Sequence, residues 1–165
     1  MTKPSDESLP MHEQVVDFVY REAQLIDTKA FDEWYELFTE DAIYWMPLAR
    51  NQAEEDQYNA LFFEDKMLLK VRIERLKHPR AFSQQTPSYC QHVLQAPQLR
   101  FSEGAQLFEC ATPFVYVESQ ADDQFVLAGV AHHRLCVVGG ELKIQRKRIE
   151  LINREAALPS IQLFI

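Results

Sequence analysis

"GGELKIQRKRIEL", Gly139 to Leu151, decides the architecture of this chain. Two consecutive glycines between long apolar-rich runs mark a two-residue hairpin, because the tight primed turns need positive φ angles. Beyond the turn, Leu142 and Ile144 share one face of an extended strand, whereas Ile149 and Leu151 share the other. Successive strand side chains alternate faces, so the parity switches in between. Either a bulge near Gln145 to Arg148 supplies the extra residue, or the two halves of the strand pack against different things. A strongly bent sheet needs such a device.

Working backward from the hairpin, segments near 88–101, 106–118 and 124–138 are rich in Val, Phe, Tyr, Ile and Leu, with prolines and glycines as punctuation. With 141–152 they predict most of one antiparallel sheet. The first half reads differently. Met11, Val15, Val19, Ala23 and Ile26 recur at helical spacing, and Phe31, Trp34, Tyr35 and Phe38 in "FDEWYELF" form a second, shorter stripe. Ile43 to Met46 is β-branched and aromatic and predicts a short strand that Pro47 ends or edges. Ala49 to Gln57 turns polar and reads as a loop. A third helix, roughly Phe63 to Lys77, turns Leu69, Ile73 and Leu76 inward and Arg72 and Arg75 to another face. Helices followed by strands predict an α+β fold. Residues 1–10 read as a loose tail and 11–165 as a single domain.

Composition narrows the function. A chain of 165 residues, 47% hydrophobic and 12% aromatic, suits one domain with a real core. With 17 basic against 25 acidic residues the formal charge is −8, which argues against a phosphate-backbone partner. No apolar run approaches the roughly 18–20 residues that span a bilayer, and "MTKPSDESLPMHEQ" has no signal-peptide core, so the expected location is the cytosol. Cys90, Cys110 and Cys136, an odd number without a secretory signal, are expected as reduced thiols.

Cys90 and His92 form Cys-x-His, half of a Rieske ligand set, and Cys110 follows at a tolerable distance. The fourth ligand position holds Pro113, so one imidazole is missing. The same residues alternate as in a strand rather than curl as cluster loops do. Cys90 and Cys110 are therefore read as core or half-buried strand residues, and no metal is expected in this chain. His132 and His133 are adjacent on a strand and point to opposite faces, so they do not easily ligate one ion. No phosphate loop, G-x-S-x-G elbow, H-E-x-x-H motif or facial triad at recognisable spacing occurs. Asp41 beside Tyr44 could form an acid/base pair at a cavity mouth, but an Asp between helix and strand more often serves as a turn or cap.

Three stretches carry a resemblance: "FVYREAQLIDTKAFDEWYELFTEDAIYWMP" at 18–47, "DKMLLKVRIERL" at 65–76 and "SIQLFI" at 160–165. The specific signals are Glu22 to Asp27, Phe31 to Trp34, Tyr44, Met46-Pro47, Arg72-Ile73 and Arg75-Leu76. Together they resemble the small β subunit of bacterial aromatic-ring-hydroxylating dioxygenases. The resemblance implies a cone-shaped curved sheet packed on N-terminal helices, the nuclear-transport-factor-like or SnoaL-like fold. It also implies an assembly, commonly of three α and three β subunits. There the α subunit carries a Rieske cluster and a mononuclear iron, and the β subunit is mainly structural, with no catalytic or cofactor-binding residue of its own. "SYCQH" stands where a basic "SRTRH"-like segment is expected, and "GVAHHRL" where arginines and an acid are more usual, so subunit contacts are built differently here. Interface candidates are Trp45, Arg72, Arg75, Phe164 and Ile165, of types enriched in protein contacts. The apolar run Ile161, Leu163, Phe164 and Ile165 suggests self-association as a trimer. The alternative is a stand-alone isomerase or dehydratase on the same fold, which needs an open pocket with a reachable acid or base where a structural subunit fills the cone with side chains.

Overall fold

The computed structural model describes residues 8–50, 52, 60–101 and 107–165. In chain order these form α1 (Ser8–Asp27), α2 (Phe31–Tyr35), β1 (Phe38–Pro47), β2 (Ala60–Asp65), α3 (Lys66–Lys77), β3 (Ser88–Leu94), β4 (Gln98–Phe101), β5 (Leu107–Gln120), β6 (Asp123–Val138) and β7 (Glu141–Leu151). Helix α1 starts earlier than the expected Met11. Pro10 is tolerated there because first-turn amides have no intrahelical acceptor. Residues 1–7 of the expected tail, and 51 and 53–57 of the expected polar loop, lie outside the described residues. Among the described residues no helix is long and apolar enough to cross a membrane.

The strands form one seven-stranded sheet in the order β2-β1-β7-β6-β5-β3, with β4 also pairing β5. Both halves of the expected 88–101 segment lie along β5: His92 faces Tyr116 and Leu99 faces Cys110. The sheet is mixed rather than purely antiparallel, because β1 runs parallel to β7. A further correction concerns Phe63, expected in the third helix. It lies in β2 opposite Trp45. The helix starts only after Asp65, whose side chain caps it by accepting a hydrogen bond from the Leu68 amide at 2.8 Å.

The deciding stretch behaves as its pattern requires. Gly139 and Gly140 have φ of +60° and +84°. Leu135 faces Ile144 but Arg134 faces Arg146, so Gln145 is the inserted residue. Ile144 is buried before the bulge, and Lys147, Ile149 and Leu151 are buried after it. Bulging increases local twist and bends the strand, which lets β7 follow the curve between β6 and β1.

Inner-face residues close around an aromatic cluster. The Trp34 ring lies 4.4 Å from Phe164 and 4.8 Å from Phe38, and Tyr44 stands 6.2 Å from both Trp34 and Phe164. At one point the sheet backbones approach too closely for any side chain. A Cβ on Gly129 would fall 2.2 Å from the Glu150 carbonyl oxygen. Gly129→Ala is expected to cost about 1–3 kcal/mol, read as a lower urea midpoint at unchanged denaturant slope.

Candidate functional site

The interior enclosed by the sheet is where an enzyme of this architecture would place its chemistry, and two polar assemblies occupy it. Glu22 sits on the buried face of α1, in line with Phe18 and Ile26. Its Oε1 accepts hydrogen bonds from Trp34 Nε1 at 2.8 Å and Lys147 Nζ at 2.6 Å, and its Oε2 lies 3.2 Å from His133 Nε2. The Glu22, His133 and Lys147 side chains are 1–3% exposed. Burial alone would raise the Glu22 pKa, but the Lys147 ammonium and the His133 hydrogen bond outweigh it and hold the carboxyl well below its ordinary range. The bulge makes this assembly possible, since it turns Lys147 inward.

The second assembly anchors residues 161–165. Glu118 accepts hydrogen bonds from the Gln162 and Leu163 amides at 2.9 and 3.2 Å. The Tyr44 hydroxyl donates to the Ile165 carbonyl and accepts from its amide, both at 3.2 Å. Arg72 donates to the Leu163 carbonyl at 2.8 Å, pairs with Glu64 at 3.2 Å, and lays its guanidinium against the rings of Phe62 and Phe164. Burial pushes the Tyr44 phenol far above its usual range, so it stays protonated. Among the described residues, the interior hollow lined by residues including Glu22, His92, Thr112, His133 and Ile165 has a volume of about 10 Å³. That volume holds at most one water.

Several expected candidates are rearranged by these contacts. Trp45, Phe164 and Ile165 are not surface groups, because all three are buried within the chain itself. Phe164 fills the cone, and Trp45 is sandwiched between its sheet partners Phe63 and Arg148. Arg72 is committed to the Leu163 carbonyl and Glu64, which leaves Arg75 as the exposed member of the set. Asp41 and Tyr44 do not meet. Tyr44 points into the core, while exposed Asp41 accepts from Thr39 Oγ1 at 2.7 Å, which lowers its pKa. His132 and His133 do point to opposite faces, toward Glu150 and Glu22 respectively.

Cys90 and His92 converge with Asp27 at the end of α1 rather than with Cys110, and the three offer ligand atoms within 4.8 Å of one another. The Asp27 carboxylate accepts from the His92 amide at 3.0 Å and from Gln91 Nε2 at 2.9 Å, and it lies 2.6 Å from His92 Nδ1. Burial, with the Asp27 charge adding to it, pushes the Cys90 thiol up to about 12. What the trio does is tie the end of α1 to the edge strand β3.

On the opposite, outer face, Arg100, Arg134, Arg146 and Arg148 line a hollow of about 330 Å³ together with His132 and Glu109. Sequence reading missed it, although arginines at 134, 146 and 148, on one face of two adjacent strands, were the available signal.

The family described as "Ring hydroxylating beta subunit" matches residues 21–156. The small oxygenase component of the p-cumate 2,3-dioxygenase system of Pseudomonas putida is 30% identical over 151 residues, covering 88% of this chain and 81% of that protein. The crystal structure of the β subunit of benzoate 1,2-dioxygenase from Burkholderia mallei shares the fold with a TM-score of 0.70 at 20% identity, covering 99% of this chain and all of that one. A putative scytalone dehydratase from Novosphingobium aromaticivorans shares it with a TM-score of 0.68 at 14% identity, over 90% of this chain and 88% of the other.

Proposed function

Because the chain belongs to the ring-hydroxylating dioxygenase β-subunit family, we propose that it is the noncatalytic structural subunit of such an oxygenase in aromatic-compound catabolism. The observation that carries this reading is the filled cone. Where a dehydratase on this fold would need room for a substrate beside an acid or base, this chain places Phe164, Ile165 and a void of about 10 Å³. Its interior carboxylates are both engaged, Glu22 by Lys147, His133 and Trp34 and Glu118 by the Gln162 and Leu163 amides. The partner in this reading is an α subunit that carries the Rieske cluster and the mononuclear iron and takes electrons derived from NADH. The β subunits self-associate as a trimer, the whole being an α3β3 assembly in the cytoplasm.

Reconstitution tests it. The chain alone is expected to convert no aromatic substrate, while the cognate α subunit, supplied with reductase, any ferredoxin and NADH, needs this chain to assemble or to reach full rate. Full turnover by α alone, or turnover by this chain alone, would overturn the assignment.

A further inference from the structure

Three buried polar atoms surround the interior hollow. Among the described residues, His92 Nε2, Thr112 Oγ1 and His133 Nδ1 are each buried without a hydrogen-bond partner, and all three residues line the same volume of about 10 Å³. They are shut off from solvent: the His92 side chain is 4% exposed, that of His133 1%, and Thr112 0%. An unpaired buried polar atom carries its full desolvation penalty, so three around one hollow require a common partner.

Their neighbours decide what that partner is. Each imidazole turns its other nitrogen to a carboxylate of α1, His92 Nδ1 lying 2.6 Å from Asp27 and His133 Nε2 3.2 Å from Glu22. A neutral imidazole that donates through one nitrogen offers a lone pair at the other. The hollow therefore presents two acceptors and one hydroxyl, which both donates and accepts. An anion would meet two lone pairs, and a metal cation would share the wall with Lys147, whose ammonium donates to Glu22 at 2.6 Å. A water suits all three groups, donating to both imidazoles and accepting from Thr112, and it needs a space of roughly 10–15 Å³.

We propose that this hollow is a binding site for one water molecule, which bridges His92, Thr112 and His133 and so fastens α1 to the sheet. Asp27 and Glu22 both belong to α1, while His92 stands on β3, Thr112 on β5 and His133 on β6. Through the water a continuous chain of hydrogen bonds runs from Asp27 across the two imidazoles to Glu22, and on to Lys147 and Trp34. A bridging water is nearly as favourable in enthalpy as a direct hydrogen bond. The polar groups at the end of α1 and those at its middle thereby act as one unit.

Three measurements on the full chain test the site. A high-resolution crystal structure is expected to show one peak at hydrogen-bond distance, about 2.7–3.2 Å, from His92 Nε2, Thr112 Oγ1 and His133 Nδ1. No peak overturns the proposal, and so does a zinc-edge anomalous signal with contacts of about 2.0–2.1 Å, which would make the hollow a metal site. Two-bond nitrogen–proton correlation spectra are expected to find the proton of His92 on Nδ1 and that of His133 on Nε2. A doubly protonated ring at either position has no lone pair to offer and overturns the set. The last measurement turns on a sign. Thr112→Val keeps the side-chain shape and removes the hydroxyl, which stabilises the fold if that hydroxyl is unpaired and destabilises it if a water is bound there. The urea midpoint is expected to fall at unchanged denaturant slope, and an unchanged or raised midpoint overturns the proposal.

Discussion

A chain ended at Pro159 is expected not to reach the native fold at 25 °C. The deletion removes Leu163, Phe164 and Ile165, each at most 1% exposed and all in the central cluster. Deleting buried Leu, Ile or Phe side chains costs about 2–5 kcal/mol apiece, so the three together reach the whole stability of a typical domain, about 5–15 kcal/mol. The loss goes beyond apolar area. Tyr44, Arg72 and Glu118 would keep their places in the core and lose their backbone partners, and an unpaired buried polar group carries its full desolvation penalty. Near-ultraviolet circular dichroism and thermal melts decide the matter, and a cooperative transition near the wild-type temperature would refute it. Phe164→Ala, which spares the backbone contacts, should fold with a loss of about 3–5 kcal/mol in urea titration.

Lys147→Met is expected to cost about 3–5 kcal/mol, the penalty for stranding one member of a buried ion pair. The strength of the test lies in its partner experiment. Glu22→Leu combined with Lys147→Met removes both charges, and replacing a buried pair by apolar groups is often near neutral. The double variant should therefore be more stable than the Lys147→Met single. Acid titration gives an independent reading. Burial raises the Glu22 pKa, Lys147 and His133 more than offset it, and the folded pKa lies below the ordinary 4.5. The stabilisation is thus fully present above that ordinary value and is lost as pH falls below it toward the folded pKa. Without Lys147 the depression is weaker, so stability should fall less across the same acid interval. Equal acid dependence in wild type and Lys147→Met would contradict this account.

What the sequence disclosed was local. The paired glycines, the parity switch between Ile144 and Ile149 and the opposed faces of His132 and His133 each follow from a few neighbouring residues and a fixed strand period, and the pairing then places the inserted residue at Gln145. Long-range pairing was hidden. Nothing in Phe38 to Pro47 says that its neighbour is β7, or that the two run parallel. Phe63 looks helical by periodicity, and only its position opposite Trp45 makes it strand. Trp45 is an interface candidate by residue type, and the cover that buries it within the chain comes from Phe63 and Arg148 in distant segments. Glu22 left a usable trace, a carboxylate in line with Phe18 and Ile26 on an apolar helix face. Reading it as the hub of the interior required Lys147, 125 residues away.

The parallel seam between β1 and β7 bears on how the chain gets to this state. Across it Thr39 lies beside Ile144, 105 residues further along, and closing so long a loop must precede any reward from the contact. The β5–β6–β7 meander can form through short turns. The N-terminal third joins it only by closing that long loop, and until then Trp34, Tyr44 and Trp45 lack the sheet surface that covers them. Folding should accordingly be slow for a chain this size, with an intermediate whose uncovered aromatics invite aggregation. Expression yield would then depend on the rate of a single docking step, and a chaperone would recognise this protein chiefly by the half that waits.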